Sequence, residues 1–335
     1  MKIAFFEVNE EQKEVFKKAF SEDELHFFCE SLIDEVPDSI KNADIISVFV
    51  CSEIKQKILN QFNNLKLIVT RSTGYNHVDV KSAQEKNIVV SNVPKYADVA
   101  VAEYTFALLL ALSRRIYDAY YQVAHDYSFS NEHLQGFDLA GKVLGVVGTG
   151  NIGRHVIRIA NGFNMEILAC DKKENKEFAK QFNFEYLSFN ELIKKSDILT
   201  FHVPLIKETY HMINLDNIDL LKQGSYLINT ARGGIIQTDA LVKALNEGII
   251  AGAALDVLEE ENFTKEPLAL LFEQHPEYKQ LKNILENHVL IEHPRVIVTP
   301  HNAFNSYQAL ERLIKLSIEN INKWKSGNPI NIVQL

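Results

Sequence analysis

The sequence predicts an α/β protein built on two doubly wound parallel sheets, and three observations carry that expectation. Short apolar runs alternate with amphipathic helical patterns nearly from end to end, the mark of parallel strands covered by helices. The runs fall into two series, one in the first third of the chain and one beginning at Lys142, so two sheets are expected. A length of 335 residues gives each sheet room for its own core.

The first series comprises Lys2–Val8, Leu25–Cys29, Asp44–Val50, Leu65–Thr70 and Ile88–Asn92, with helical stretches such as Glu10–Phe20 and Glu53–Phe62 between them. The segment from Asp98 to about Asp126 is too long and too apolar for a linker and reads as one long helix leading out of the first domain. The second series is Lys142–Gly148, Glu166–Asp171, Asp197–Val203, Ser225–Thr230, Gly252–Val257 and Val296–Thr299, with helices at Asn151–Gly162 and Thr238–Asn246. Glu259 to Arg295 has no strand signal and reads as a long insertion with some helix, Gln280–Glu286; insertions of that kind tend to be functional or mobile. A last helical pattern, Ser306 to Lys325, is closed by Gly327 and Pro329.

Composition narrows the function classes. With 35 Lys+Arg against 44 Asp+Glu the net charge is −9, which argues against a protein whose main work is holding nucleic acid. Cys29, Cys51 and Cys170 stand far apart with no CxxC, which fits a reducing cytoplasm and no structural metal. The start meets Glu7 too early for a signal peptide, and the longest greasy stretch, Tyr104 to Leu112, is far short of the ~20 residues of a membrane span. A soluble cytoplasmic protein without membrane or nucleic-acid partners is expected.

Gly148-Thr149-Gly150-Asn151-Ile152-Gly153 is a GxGxxG that follows a strand and opens a helix, the context that gives the motif meaning. Gly148 permits the tight turn, Gly150 lets the backbone approach a pyrophosphate, and Gly153 lets helix pack on strand. The helix N-terminus offers free N–H groups to phosphates. Asp171, 18 residues past Gly153 at the end of the next strand, would hydrogen-bond ribose hydroxyls and repel a 2′-phosphate, so NAD is expected over NADP. Lys172 and Lys173 are a mild counter-signal.

Three later strand ends carry unusual loop residues. Arg232, in Asn229-Thr230-Ala231-Arg232-Gly233-Gly234, offers a planar fork that matches a carboxylate or α-keto acid. The acid run Asp256-Val257-Leu258-Glu259-Glu260-Glu261 ends another strand, and Glu259 and Glu260 read as solvated loop residues. His301, in Thr299-Pro300-His301-Asn302-Ala303, stands where ligands of open α/β sheets bind and could exchange the proton that accompanies hydride transfer.

Together with Thr70-Arg71-Ser72-Thr73-Gly74-Tyr75-Asn76-His77-Val78-Asp79, Val93-Pro94-Lys95-Tyr96, Val101-Ala102-Glu103-Tyr104-Thr105 and His202-Val203-Pro204-Leu205, these motifs resemble the D-isomer-specific 2-hydroxyacid dehydrogenases over essentially the whole chain, most closely the D-lactate dehydrogenase branch. The resemblance implies two Rossmann-like or flavodoxin-like domains with an active-site cleft between them: a substrate domain of residues 1–112 plus 302–335, and an NAD-binding domain of residues 113–301. It implies a homodimer joined through the Asp98–Asp126 region. Arg232 would bind the substrate's carboxylate and keto oxygen, His301 would be the acid/base, and Glu261 would pair with it. NAD would be held by the glycine loop with Asn151 and Ile152, by Asp171, Val203, Pro204, Thr209, Thr230, Ala231, Arg232 and Asp256. The backbone at Thr73 and Gly74 would help hold the substrate carboxylate, with Tyr96 and Phe304 walling a small apolar pocket. The implied reaction is reversible NADH-dependent reduction of pyruvate, or a close 2-oxo acid, to the D-alcohol. A hydroxypyruvate/glyoxylate reductase or phosphoglycerate dehydrogenase is the alternative, the latter needing a further cationic pocket for which the sequence suggests Arg71 or Lys95. An NAD-sensing corepressor-like binding protein is the alternative of another class.

Overall fold

The computed structural model of the chain describes residues 1–261 and 278–334. The chain divides into two units, Met1–Ala97 with Asn305–Leu335, and Asp98–Phe304. The boundary after residue 97 falls earlier than the sequence suggested because the helix that follows it belongs by its packing to the second unit.

The first unit runs β1 (Lys2–Phe5), α1 (Glu10–Ala19), β2 (Glu24–Phe27), β3 (Ile45–Val48), α2 (Gln56–Leu59), β4 (Leu67–Thr70), α3 (Val80–Glu85) and β5 (Val89–Ser91). The sheet order is β2-β1-β3-β4-β5, parallel at every pairing. All residues of β3 and β4 are buried, as strands covered on both faces require. Alternate residues feed two cores: Ala4, Ile46, Val48 and Ile68 on one face, Phe5, Ile45, Leu67 and Val69 with Phe16 on the other. Asn9 caps α1 through a capping box with Gln12. Arg71 is a cross-brace here rather than a free cation. Fully buried, it donates to Ser47 Oγ (3.0 Å) and to the carbonyls of Phe6 and Glu7, tying the ends of β1, β3 and β4, and burial pulls its pKa down to about 10. Glu7 accepts from the N–H groups of Phe49 and Cys51 (both 2.8 Å), closing the point where the strand order reverses.

The second unit opens with α4 (Asp98–Ser113) and α5 (Ile116–His125). These replace the single helix expected from Asp98 to Asp126. The Ser113 carbonyl, which would have bonded the next turn, accepts instead from the Phe137 N–H (2.9 Å), and Arg115 takes a left-handed φ of 51°, which ends a helix. Then follow β6 (Val143–Val147), α6 (Asn151–Gly162), β7 (Glu166–Cys170), α7 (Lys176–Phe182), β8 (Glu185–Tyr186), α8 (Phe189–Lys195), β9 (Ile198–Phe201), β10 (Ser225–Asn229), α9 (Thr238–Asn246), β11 (Ile250–Leu255), α10 (Tyr278–Glu292) and β12 (Val296–Val298). The sheet is parallel throughout in the order β12-β11-β10-β9-β6-β7-β8, so the order reverses between β6 and β9. Ala102, Phe106 and Leu109 of α4 lie in one core with Leu144, Val146 and Ile157, and the rings of Phe106 and Phe163 stack at 5.5 Å. The chain closes with α11 (Tyr307–Lys325), capped by Ser306 and packed into the first unit's core through Ile321.

The periodicity gave α6 and α9 their bounds, whereas most strands are shorter than their apolar runs because the last residues turn into loops. The two-residue β8 had no signal, and the helix expected at Gln280–Glu286 extends to Tyr278–Glu292. The rest of the expected insertion, residues 262–277, lies outside the described residues. Among the described residues no helix is long and apolar enough to cross a membrane, and no group of three or more His, Cys, Asp or Glu side chains could hold a metal ion.

Candidate active site

The glycine loop sits at the carboxyl end of β6, beside the reversal of strand order where α/β sheets bind ligands. Gly148 has φ 93°, and a Cβ there would stand 2.6 Å from the His202 carbonyl oxygen; a Cβ on Gly153 would stand 2.0 Å from the oxygen of Gly148. Gly150 alone of the three faces open space, and no side chain caps α6. An uncapped helix N-terminus behind an open, side-chain-free turn fits a diphosphate. Asp171 holds the loop from the side: Oδ2 accepts from Thr149 N (2.6 Å) and Oγ1 (3.0 Å), and Oδ1 from Lys173 N (2.8 Å). Oδ1, with one accepted bond, keeps lone-pair capacity for a ribose hydroxyl. Lys172, exposed, lies 3.9 Å from Glu208.

After β9, Val203 packs on the glycine turn. Thr209 is buried, and its hydroxyl bonds the Pro204 carbonyl (2.5 Å) and the Ile206 N–H (2.8 Å), so it shapes that loop from within. The His202 imidazole, bonded to Thr200 Oγ1 at 3.0 Å, keeps a buried Nδ1 with no protein partner, and burial pushes its pKa down to about 3. A neutral imidazole with an unsatisfied nitrogen beside the glycine loop is a second feature that fits a polar ligand there.

Arg232 is half-buried and starts the turn after β10. The buried Asn229 braces this turn, accepting from Ala231 N (3.0 Å) and donating to the Arg232 carbonyl (2.9 Å), while the Thr230 hydroxyl meets that of Thr105 at 2.9 Å. A Cβ on Gly233 would fall 2.1 Å from the Leu258 carbonyl, so the turns after β10 and β11 touch through backbone. His301 Nδ1 lies 2.8 Å from Glu261 Oε1, both side chains a little over a quarter exposed. His301 has a left-handed φ of 53°, a conformation that costs a non-glycine residue on the order of 1–3 kcal/mol and persists only where its surroundings dictate it. Asp256, fully buried, dictates it: its carboxylate accepts from Thr299 Oγ1 (2.5 Å) and from the N–H groups of Asn302 and Ala303 (both 2.8 Å). Burial pushes the Asp256 carboxyl up, against those three hydrogen bonds, which pull it down. The Phe304 ring meets His301 edge-on at 6.4 Å.

Two residues depart from their sequence reading, and a third has a role that the sequence reading did not assign. Glu259 is buried, not solvated, with its carboxylate on His211 and Thr238. Arg71 is consumed as a brace, which leaves Lys95, exposed and at φ 63°, as the remaining cation suggested for a phosphate. Asn229 braces its turn, and an amide at a strand end is itself a turn-bracing signal in the sequence. In the first unit, Thr73 is exposed with its hydroxyl on the Val93 carbonyl (3.0 Å), Gly74 follows it, and Tyr96 is buried with its carbonyl accepting from Arg312 Nε (2.7 Å).

Residues 106–303 match the family described as D-isomer specific 2-hydroxyacid dehydrogenase, NAD binding domain. The chain belongs to this family. It is 36% identical over 335 residues to 2-hydroxyacid dehydrogenase homolog 1 of Schizosaccharomyces pombe, covering 98% of this chain and 97% of the relative. To the glyoxylate reductase of Thermococcus litoralis it is 35% identical over 303 residues, 88% of this chain and 85% of that one. Among solved structures, D-lactate dehydrogenase from Aquifex aeolicus complexed with NAD and lactic acid superposes with a TM-score of 0.86 at 34% identity, covering 97% of this chain and 96% of that one. The family's cofactor is NAD, and the glycine loop, α6 and Asp171 are the residues here that fit it.

Proposed function

We propose that the protein catalyses the reversible NADH-dependent reduction of pyruvate, or a close small 2-oxo acid, to the D-2-hydroxy acid. The observation that carries this reading is the 2.8 Å contact between His301 Nδ1 and Glu261, at the strand ends of the sheet that carries Arg232 and the glycine loop. When bound, NADH would supply the hydride to C2 of the substrate. Arg232 binds the carboxylate and keto oxygen, fixing the carbonyl and stabilising negative charge as it develops on that oxygen. His301 enters the reduction as the imidazolium: its Nδ1–H donates to Glu261, its Nε2–H gives its proton to the keto oxygen, and the neutral ring that remains, held as the Nδ1–H tautomer by Glu261, recovers that proton in the reverse direction. Asn151, Ile152, Val203, Pro204, Thr209, Thr230, Ala231 and Asp256 complete the NAD site in this reading. In this reading Met1–Ala97 with Asn305–Leu335 is the substrate domain and supplies Thr73, Gly74 and Tyr96, while Asp98–Phe304 is the NAD domain and carries Phe304 beside His301. The burial of Arg71 weighs against a phosphorylated substrate.

Glyoxylate is the second substrate reading, favoured by the Thermococcus litoralis relative. The aromatic, unburied face of α5 supports a homodimer, and Cys29, Cys51 and Cys170, which form no disulfide with one another, support a reducing, cytoplasmic setting. The test is NADH oxidation against pyruvate, hydroxypyruvate, glyoxylate, phenylpyruvate and 3-phosphohydroxypyruvate, with NADPH in parallel and the product's configuration read by a stereospecific assay. Preference for pyruvate with NADH and a D-product is expected. Preference for glyoxylate moves the specificity, and no turnover on any of the five overturns the enzymatic reading.

A further inference from the structure

Two residues before Glu261, the Glu259 carboxylate is buried and fully engaged. Its Oε1 lies 2.7 Å from His211 Nε2, and its Oε2 accepts from the Thr238 N–H (2.8 Å) and hydroxyl (2.7 Å) at the start of α9. The Glu259 carbonyl accepts from Asn287 of α10 at 2.7 Å. His211 is itself anchored twice over: its N–H donates to the Gly234 carbonyl (2.8 Å), and the Tyr210 ring stacks on its imidazole at 3.9 Å. His211 therefore holds the turn after β10 by its backbone and the turn after β11 by its side chain. Those are the two turns that already touch at Gly233 and Leu258.

A buried carboxylate is costly unless every lone pair finds a donor, and an apolar side chain of similar volume would fill the space without that cost. What an apolar side chain lacks is direction. The bonds of Glu259 and His211 run between the turn that carries Arg232, one residue before Gly233, and the turn that leads to Glu261, which in turn contacts the His301 imidazole.

We propose that Glu259 and His211 form a positioning pair that holds Arg232 and Glu261 in mutual register for the reaction. Neither touches the reacting atoms. The proposal rests on the reading above for the roles of Arg232 and His301, and its test separates the two.

The variants Glu259→Ala, Glu259→Gln and His211→Asn are made in the full chain. Three quantities are measured: NADH affinity by fluorescence, kcat and KM for pyruvate, and the low-field proton resonance of His301 Nδ1, identified by its loss in His301→Gln. In Glu259→Ala, NADH affinity is expected within about twofold of wild type, while kcat falls at least roughly tenfold, the scale of a small misplacement at the reacting centre. The resonance should shift or broaden. Glu259→Gln, whose carbonyl still accepts from Thr238, should recover most of the rate and the resonance. Should Glu259→Ala not fold, His211→Asn, which leaves the bonds to Thr238, carries the same expectations at smaller amplitude. An unmoved resonance with wild-type kcat, or activity lost only in proportion to unfolded protein, overturns the proposal. If wild type reduces no 2-oxo acid, the functional reading fails by itself, and the resonance still decides whether Glu259 positions His301.

Discussion

His301, one of 11 histidines in this chain, is held by its neighbours in a way that suits the proton-donor role proposed for it. The ring is aimed by Glu261, and its strained backbone is held by Asp256, whose three accepted bonds all come from residues 299–303. Replacing it with glutamine removes the transferable proton and leaves the glycine loop untouched. His301→Gln should bind NADH with wild-type affinity in a fluorescence titration and lose about 10²–10⁴-fold in kcat, the usual contribution of a general acid. Turnover near wild type would remove His301 from the mechanism. Arg232 and His301 stand out in the sequence because each is an odd residue for its place, a strand-end loop. Glu259 and Arg71 were misread for a shared reason. Sequence assigns charged side chains to water by default, and only the packed structure shows donors converging on Glu259 and acceptors on Arg71.

At the level of elements, the β6–α6 turn carries two glycines with opposite constraints, one internal and one external. A methyl group on Gly153 would press on the Gly148 carbonyl oxygen, whereas one on Gly150 meets no atom of the protein. Gly153→Ala should therefore cost about 1–3 kcal/mol of stability, as overpacked sites do, together with NADH affinity. Gly150→Ala should melt as wild type does and lose NADH affinity alone. Thermal melts with NADH titrations check both, and a Gly150→Ala protein that binds NADH normally would sink the diphosphate role of this turn. The motif was readable because turn, helix and acid are local in sequence. The break between α4 and α5 was not. It arises when Phe137, 24 residues downstream, takes the Ser113 carbonyl, a tertiary event that no helical periodicity records.

For the whole molecule, two exposures matter: apolar surface to water and a buried base to acid. Helix α5 buries none of its residues and shows Tyr117 and Tyr120 about two-thirds exposed, with Tyr127 and Phe129 almost wholly so just beyond. A patch of this kind marks an interface. Sedimentation should give a dimer that Tyr117→Glu with Tyr120→Glu converts to monomer; a monomeric wild type would show that a second copy does not cover it. Acid stability follows from His202. Burial lowers its pKa to about 3, below the ordinary value of 6.5, so the imidazole is neutral in folded and unfolded chains at pH 7. As pH falls through 6.5 the unfolded chain takes up a proton that the folded one refuses. Stability is therefore full above that pH and drains away down to about pH 3, at a limiting slope of about 1.4 kcal/mol per pH unit. His293, lowered by burial and by Arg295, adds to the same limb. Asp23, Asp44 and Asp197 enter only lower: their burial, which raises the carboxyls, is outweighed by bonds from lysines and backbone N–H groups, so their contribution is lost in the carboxylate range. Urea unfolding between pH 7 and 4.5 should show the wild-type midpoint falling with acid and a much flatter profile for His202→Gln. Equal slopes in the two proteins would mean that His202 takes up its proton in the folded state, and that its unpartnered nitrogen is not sealed from water.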